Sequence, residues 1–408
     1  MLSARSLATT VWPVRPPLLH MTRRNMTDDR VTHTTRVVIA GGGPSGSLLG
    51  LFLARDDKFD VHIFEASTPE EMTSPSNRSY NVVILERGLG ALQEGGVDLM
   101  KEAGDAALSL SGVIRHSCRG IEEVKFPSYG VSIRRGDAAM VLLNKVASCP
   151  NVKVHTGTKF KSVDLDSRVA KFENKEGESI EHAYDILVGA DGVNSHVRSE
   201  LEAKVPEFTV TQKEKWYPRL FGGTGISEEA AKDFLEKRPS SQKMTICSHL
   251  AYGSVVLIGD AAHSMWGSLG QGIQAALEDC KVLARLLKAS DLQEPMDIRD
   301  VLEAYNQERM DDARAVCLLS EEGFGGARSV RFAYKAQLFV TRFLHKILGR
   351  LAPKTFAPPS MMKLNDPNTP YSEVWRGKRR EAKVSRRLLY VAGVGTVALT
   401  AGAIRCFG

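Results

Sequence analysis

The sequence predicts an α/β fold, in which strands alternate with helices around glycine-rich turns. Residues 36–65 have the pattern of a strand, a glycine turn, a helix and a second strand, and another β-branched run precedes Gly259 and Asp260. The pattern from Gln271 to Leu348 is mostly helical. This alternation is typical of α/β proteins. The chain has 408 residues, of which 43% are hydrophobic and 25% are charged, so it can bury a sizeable core.

The first element is a glycine turn with the spacing Gly41-x-Gly43-x-x-Gly46, which also contains Ser45 and lies between the strand "RVVIA" and the helix "SLLGLFLARD". In such a turn the glycines allow a tight bend, a close approach of backbone to a pyrophosphate, and close contact between helix and strand. Glu65 ends the next strand, "FDVHIFEAS", where an acid accepts hydrogen bonds from a ribose diol. A glycine turn without a ligand would not explain Glu65. The sequence therefore predicts a Rossmann-like dinucleotide-binding unit.

The middle of the chain continues the alternation. A helix is predicted over "RGLGALQEGG", and strands are predicted in "GVSIRRGD" and "NVKVHTGTKFKSVDLD". The stretch "SRVAKFENKEGESIEHAYDILVGADG" predicts a hairpin that leads into a buried strand. A proline-rich break, "APKTFAPPSMMKLNDPNTPY", follows the late helices.

Two later motifs carry a resemblance to a known class of enzymes. "DILVGADGVNSHVRSEL" and "LIGDAAHSMWGSLGQGIQAALEDC" resemble the Asp-Gly and Gly-Asp motifs of the aromatic-hydroxylase class of FAD-dependent monooxygenases. The resemblance implies that Asp260 holds the ribityl chain of FAD and that Asp191 serves both FAD and the pyridine nucleotide. It also implies that backbone amides near Gly270 stabilise negative charge on the reduced flavin. The FAD-binding residues implied in these motifs and in "SIRRGD" are Arg135, Asp191, Gly192, Asp260, Gly270, Gly272 and Ile273.

Within this class, the stretches "NRSYNVVILERGLGALQEGGV" and "RFLHKILGRLAPKTFAPPSMMKL" resemble the kynurenine 3-monooxygenase family. The resemblance implies hydroxylation of a small aromatic substrate with FAD as the cofactor, NADPH or NADH as the co-substrate, and O₂. The cofactor carries such chemistry, so no catalytic side chain is predicted. Two alternatives remain open: an FAD-dependent oxidase or reductase, and a flavin-binding, membrane-tethered protein that has lost hydroxylase activity.

The chain departs from the family pattern at several positions. Val113 occupies the place of the family arginine that grips the substrate carboxylate, so Arg115 and Tyr129 are the candidate substrate-binding residues. Gly267 replaces a family proline and Gln274 a family asparagine, and both changes are expected on the reactive side of the flavin.

The interval between Asp191 and Asp260, residues 192–259, is also short, with 68 residues. It has room for two or three short strands and one helix, which make a small roof over the substrate. Either the substrate face is open, or the C-terminal helices close it, or the chain is a shortened variant or a misassembled gene model.

Composition excludes other classes of function. The net charge is +6, and no basic stripe interleaved with aromatic residues indicates nucleic-acid binding. The six cysteines are scattered without a CxxC pair or a metal-ligand spacing, which indicates a reducing compartment and no metal site.

The two ends carry expectations about location. The first 30 residues are rich in arginine, which indicates either an organelle transit peptide or a disordered extension. Leu388 to Ile404 is uncharged and lies between arginines, and as a helix it would span ~25 Å. We therefore expect a C-terminal membrane anchor, in the mitochondrial outer membrane or in another organelle membrane.

The predicted fold is thus a Rossmann-like FAD-binding domain interleaved with a reduced substrate-domain sheet and followed by C-terminal helices and the anchor. Its predicted parts are a leader over residues 1–34, an FAD-binding domain over 35–202 that resumes over 253–295, a shortened substrate-domain segment over 203–252, C-terminal helices over 296–376, a basic linker over 377–387 and a candidate transmembrane tail over 388–404.

Overall fold

The structure is a computed structural model. It describes residues 34–387, apart from 75–80, 118–119, 217–240, 293, 324–338, 341, 348 and 350–359, and it also describes residue 390.

The described strands confirm the predicted α/β pattern. They are β1 (Thr35–Ala40), β2 (Phe59–Phe64), β3 (Asn81–Ile84), β4 (Ala107–Ser117), β5 (Gly120–Arg134), β6 (Val152–His155), β7 (Lys159–Asp164), β8 (Val169–Glu173), β9 (Ser179–Ala183), β10 (Ile186–Gly189), β11 (Val210–Trp216), β12 (Ser241–Cys247), β13 (Ala251–Tyr252) and β14 (Val255–Leu257).

The described helices are α1 (Pro44–Leu53), α2 (Pro69–Thr73), α3 (Glu86–Glu94), α4 (Leu99–Ala103), α5 (Arg135–Ala147), α6 (His196–Lys204), α7 (Asp260–His263), α8 (Gly272–Ala289) and α9 (Pro295–Glu322). Short 3₁₀ turns cover Gly104–Ala106, Gly267–Leu269 and Ser360–Lys363, and residues 342–347 and 371–387 are also helical.

The main sheet has the strand order β13-β14-β10-β1-β2-β6, and all neighbours are parallel except β13 and β14. Its central strand β1 includes Val37, Val38 and Ile39, none of which is exposed. Helix α1 is buried from Gly46 onward, because it packs directly on this sheet. Strand β14 follows β1 by more than 200 residues in the chain and still pairs with β10. The late Gly-Asp motif therefore returns to the sheet that begins the protein.

The remaining strands form smaller sheets. Strands β3, β5 and β4 form one sheet, and β7, β8 and β9 form a second. Strands β11 and β12 form a two-stranded antiparallel pair. Of the two or three short strands predicted in the segment 203–252, β11 and β12 are confirmed, whereas β13 belongs to the main sheet. The helix predicted in this segment stays a prediction, because residues 217–240 lie outside the described residues.

Among the helices that the structure describes, none combines the length and the apolar character needed to cross a membrane. The candidate tail over residues 388–404 lies, except for Tyr390, outside the described residues, as does the leader up to residue 33. The membrane anchor and the leader therefore stay predictions.

Candidate functional site

Three loops that are far apart in sequence meet at one edge of the main sheet. Strands β1, β10 and β14 are parallel neighbours, with Ala40 paired to Gly189 and Gly189 paired to Leu257. Parallel strands end at the same edge, so the loops that begin at Gly41, Ala190 and Ile258 lie side by side. Such an edge is where open α/β sheets bind ligands. The structure thus brings the glycine turn, the Asp-Gly motif and the Gly-Asp motif together.

The glycine turn is shaped by close contacts at two of its glycines and by open space at the third. Gly41 has a φ of +111°, and a Cβ added there would lie 2.3 Å from the carbonyl oxygen of Ala190. A Cβ on Gly46 would lie 2.0 Å from the carbonyl oxygen of Gly41. A Cβ on Gly43 would meet no atom within 4 Å. Gly43 also caps α1 without a side-chain hydrogen bond, so the N-terminus of this helix is open to a phosphate.

Ser45 and Glu65 flank the turn. The Ser45 hydroxyl would lie 2.7 Å from a Cβ on Gly259, so the first and third loops are in close contact there. The Glu65 carboxylate accepts hydrogen bonds from the backbone N–H groups of Gly42 and Ser67, each at 2.8 Å. These bonds fix the carboxylate at the end of β2. Each carboxylate oxygen keeps a second lone pair, which can accept a ribose hydroxyl.

Asp191 is held by one carboxylate oxygen and leaves the other without a partner. Its Oδ2 accepts from the backbone N–H groups of His196 at 2.7 Å and Val197 at 3.2 Å, at the start of α6. Its Oδ1 is buried and has no hydrogen-bond partner among the described residues. A buried, unpaired acceptor is costly unless a ligand donates to it. Next to it, a Cβ on Gly192 would meet open space.

Arg198 is a residue of this site that the sequence reasoning missed. Its side chain is buried and donates to the carbonyl oxygens of Ala261 at 2.7 Å and Val193 at 2.9 Å. It therefore ties the Asp-Gly loop to the Gly-Asp loop. The signal was present in "NSHVRSEL", because Arg198 shares the buried helix face with Leu201, three residues later.

Asp260, the first residue of α7, has a carboxylate with no hydrogen bond to another described residue. Desolvation raises the pKa of this carboxyl, and His263, Arg135 and Arg198 act in the opposite direction. Arg135, the first residue of α5, thus lies near Asp260, although its side chain is exposed. Asp260 is partly buried, and its carboxylate can accept from a ligand that offers hydroxyl donors, as the ribityl chain of FAD does.

The loop after α7 presents backbone rather than side chains. Gly270 has a left-handed φ of +62°, and a Cβ on it would meet no atom within 4 Å. A Cβ on Gly272 would contact only Met265, at 4.0 Å. Ile273 is partly buried against the core. The open space beside the backbone here fits the approach of a flat ring to the N-terminus of α8.

The side chain of Gln274 is held by hydrogen bonds to backbone atoms of α3 and β3. Its side-chain oxygen accepts from the backbone N–H groups of Leu85 at 3.2 Å and Gly88 at 3.1 Å, and its nitrogen donates to the carbonyl oxygen of Val83 at 2.8 Å. The amide therefore caps α3 and ties it to β3. These bonds hold the amide against α3 and β3, and the expectation that Gln274 lies on the reactive side of the flavin stays a prediction.

Gly267 sits next to β12. Its N–H donates to the side-chain oxygen of Gln242 at 3.1 Å, and a Cβ on Gly267 would lie 3.2 Å from the other amide atom of Gln242. A proline at this position would lack the N–H that makes this bond. The replacement of the family proline by Gly267 therefore allows a hydrogen bond to Gln242 on β12.

A buried charge cluster supports the Gly-Asp turn from behind. Asp279 is fully buried, and its Oδ2 accepts from the N–H of Gly259 at 2.9 Å and contacts Nε2 of His263 at 2.6 Å. Its Oδ1 accepts from Nη2 of Arg309 at 2.8 Å. Burial alone lowers the pKa of His263, but Asp279 more than offsets it, so the pKa is raised. Burial likewise tends to raise the pKa of Asp279, but His263 and Arg309 lower it.

The cluster extends from Arg309 toward α3. Glu278 accepts from Nη1 of Arg309 at 3.0 Å and from Nη1 of Arg87 at 2.7 Å, and Arg309 also lies 3.4 Å from Asp312. The members of the buried charge cluster are the basic groups Arg87, Arg309 and His263 and the carboxylates Glu278, Asp279 and Asp312. With His263 protonated, three positive charges face three negative ones, which is how buried charges are tolerated.

The candidate substrate residues are not placed at this edge by any described contact. Tyr129 lies on β5 with 58% of its surface exposed. The backbone of Arg115 pairs with Glu122 in the hairpin of β4 and β5, but its side chain lies outside the described residues. Both stay predictions.

Comparisons with known proteins agree with this geometry. A family model described as "FAD binding domain" matches residues 34–248 and 224–320. The kynurenine 3-monooxygenase of Legionella pneumophila (strain Corby) is 29% identical over 62% of this chain and 72% of its own length. That of Phaeosphaeria nodorum is 26% identical over 91% of this chain and 93% of its own. The solved structure of p-nitrophenol 4-monooxygenase PnpA from Pseudomonas putida DLL-E4 has a TM-score of 0.58 at 18% identity, over 81% of this chain and 98% of that one. The last comparison shows the fold.

Proposed function

The chain belongs to the FAD binding domain family and is an FAD-dependent monooxygenase, and on that premise we propose that it hydroxylates a small aromatic substrate of the kynurenine type. The observation that carries the proposal is the meeting of three loops around an unpaired acceptor. Asp191 keeps one buried carboxylate oxygen without a partner among the described residues, and Asp260 places a partly buried carboxylate on the third loop.

Each part of the site suits one part of FAD. The open N-terminus of α1 at Gly43 would hold the pyrophosphate, and Glu65 would accept from the ribose. Asp260 would accept from the ribityl hydroxyls, and the backbone from Gly270 to Ile273 would lie against the ring. Bound FAD supplies the redox chemistry, which is electron transfer from NAD(P)H and use of O₂. The protein's part would be to position the cofactor and to keep water from it.

The similar kynurenine 3-monooxygenases support the choice of substrate. Kynurenine carries an aromatic amine, which makes its ring electron-rich, and an amino-acid carboxylate, for which Arg115 and Tyr129 are the candidate partners. A direct test is to supply holoenzyme with NADPH or NADH, kynurenine and ¹⁸O₂, and to analyse the products by mass spectrometry. One ¹⁸O atom in a hydroxylated ring, together with substrate-stimulated NAD(P)H consumption, supports the proposal. NAD(P)H consumption that is indifferent to kynurenine, with all the oxygen recovered as hydrogen peroxide, contradicts it.

The small roof favours a second candidate function. In the part of the chain that the structure describes, β11 and β12 form a two-stranded sheet, and residues 211–215 of β11 are exposed. If the site admits water, electrons from NAD(P)H would reduce O₂ to hydrogen peroxide without hydroxylating a substrate, which is the reaction of an NAD(P)H oxidase. Hydrogen peroxide without a hydroxylated product, in the experiment above, identifies this alternative.

We also propose that the tail tethers the protein to a membrane, with the mitochondrial outer membrane as the first candidate. The support is the uncharged segment over residues 388–404 and the basic linker that precedes it. The full chain and a chain ending at residue 387 are compared by fractionation and alkaline extraction of membranes. Retention of the full chain alone supports the tether, and a full chain that remains in the soluble fraction contradicts it.

A further inference from the structure

Arg87 occupies an unusual position for a cation. It is the second residue of α3, where the helix dipole disfavours positive charge, and only 3% of the residue is exposed. A buried arginine at a helix N-terminus must be stabilised by other groups. The described contacts show that those groups come from α8 and from the C-terminal part of the chain.

The guanidinium of Arg87 joins three segments. Its Nη1 donates to Glu278 on α8 at 2.7 Å. Its Nη2 lies within hydrogen-bonding distance of the backbone carbonyl oxygens of Asp366 at 2.5 Å, Thr369 at 2.7 Å and Leu364 at 3.3 Å. These carbonyls belong to residues 360–387, which we term the C-terminal strap. Because the acceptors in the strap are backbone atoms, Arg87 holds the backbone conformation of the strap and does not depend on the identity of its side chains.

The same strap contacts the cofactor loop. The ring of Tyr371 lies 4.2 Å from the Arg87 guanidinium, and its hydroxyl donates to the side-chain oxygen of Gln271 at 3.0 Å. The side-chain nitrogen of Gln271 donates to Asn365 at 2.9 Å. Gln271 lies between Gly270 and Gly272, whose backbone faces open space. Two residues of the strap, Asn365 and Tyr371, therefore hold the side chain of Gln271 between these two glycines.

A second route links Arg87 to the Gly-Asp turn. Glu278, which accepts from Arg87, also accepts from Arg309, and Arg309 donates to Asp279. Asp279 in turn accepts from the N–H of Gly259, next to Asp260. Hydrogen bonds within a buried cluster polarise one another, so a change at one member affects the others. The strap is thus connected to both cofactor-facing turns of the Gly-Asp motif.

We propose that Arg87 is a positioning residue that holds the C-terminal strap on the cofactor loop, so that docking of the strap and binding of FAD stabilise each other. The inference rests on FAD as the cofactor and not on kynurenine as the substrate. Coupling of this kind is reciprocal: FAD must protect the strap to the same extent that the strap tightens FAD. A strap that served only to extend the core would not respond to the cofactor.

The test is hydrogen exchange of the full-length protein with and without FAD, followed in peptides that cover residues 364–372 and 268–276. Wild-type protein should exchange more slowly in both peptides once FAD is bound. The Arg87→Lys variant keeps the charge but loses the planar fork that reaches Glu278 and the carbonyls together. It should exchange faster in both peptides and bind FAD about tenfold more weakly by flavin fluorescence titration. Arg285→Lys is the matched control, because Arg285 pairs with Glu308 from the exposed side of α8, and it should leave both readouts unchanged.

A second variant keeps the inference testable if Arg87→Lys folds poorly. Tyr371→Phe removes only the hydroxyl that contacts Gln271 and keeps the ring under Arg87. It should speed exchange in residues 268–276 and weaken FAD binding, while residues 364–369 stay protected. Strap exchange that is identical with and without FAD overturns the inference, as does unchanged FAD affinity in both variants. Failure to hydroxylate kynurenine leaves these readouts unaffected, so the two proposals fail separately.

Discussion

The cofactor edge of the main sheet and the two-stranded roof differ sharply in how they are built. At the cofactor edge, buried strands are joined by turns that Arg198 and Asp279 tie together through hydrogen bonds. In the roof, β12 attaches to the rest through bonds such as Thr245 to Ser264, whereas residues 211–215 of β11 are exposed. The difference indicates that the cofactor site is determined by many mutual constraints. In the described part of the roof, β11 contributes little buried surface.

The largest expected effect comes from the buried charge cluster. Arg309→Met leaves Asp279 and Asp312 buried without their main cation, which should destabilise the protein by about 3–5 kcal/mol. Urea denaturation of the apoprotein measures this loss. Arg285→Met, which breaks an exposed pair with Glu308, should cost less than about 1 kcal/mol. Equal losses of unfolding free energy in the two variants would show that the buried charge cluster stabilises the protein no more than an exposed ion pair does.

A smaller effect, confined to the cofactor, is expected at Gly43. A Cβ there meets no protein atom, so Gly43→Val should leave the melting temperature of the apoprotein nearly unchanged. Its side chain would occupy the space of the phosphates, and FAD affinity should fall about a hundredfold or more. In Gly41→Ala, by contrast, the Cβ collides with Ala190, and the protein should fail to fold. Gly43→Val protein that is purified with a full complement of FAD would show that the phosphates bind elsewhere.

The pH dependence of stability tests the charge of His263. Because the folded-state pKa of His263 is raised above its ordinary value of 6.5, its contribution is fully present below that value. The contribution is lost as pH rises through the raised pKa. Asp279 has a lowered pKa, so its contribution is present above 3.8 and is lost as pH falls below that value.

The difference in unfolding free energy between wild type and His263→Asn should therefore be greater at pH 6 than at pH 9. Denaturant titrations at the two pH values measure it. A difference that grows with rising pH would mean that His263 is buried in its neutral form.

The smallest effect is expected in the roof. Lys213 on β11 pairs with Glu321 at 2.6 Å, but 49% of the lysine side chain is exposed. Lys213→Ala should change the unfolding free energy by less than about 1 kcal/mol and leave FAD affinity unchanged. Thermal denaturation and flavin titration check both. A large loss of stability or of FAD affinity in Lys213→Ala would show that the roof supports the cofactor site more strongly than its contacts indicate.

The sequence predicted the parts of the site that depend on local pattern. The turn at Gly41, the acid at Glu65 and the two later motifs each lie beside a strand with a clear β-branched run, and pairing of parallel strands then brings them together. The partners of Asp279 and Arg87 were not predictable in this way. They depend on which helix faces meet, and Arg87 contacts carbonyls up to 282 residues later in the chain. The placement of Gln274 likewise depends on α3 lying within its reach.

The most direct test of the account is calorimetric titration of FAD into the apoprotein, with Asp260→Ala beside the wild type and Asp300→Ala as a control on the exposed side of α9. Wild type and Asp300→Ala should each bind one FAD per chain with the same affinity. Asp260→Ala should bind about tenfold or more weakly, because it loses the carboxylate that would accept from the ribityl hydroxyls. Affinity that is equal in all three proteins, or no FAD binding by the wild type, would contradict the account.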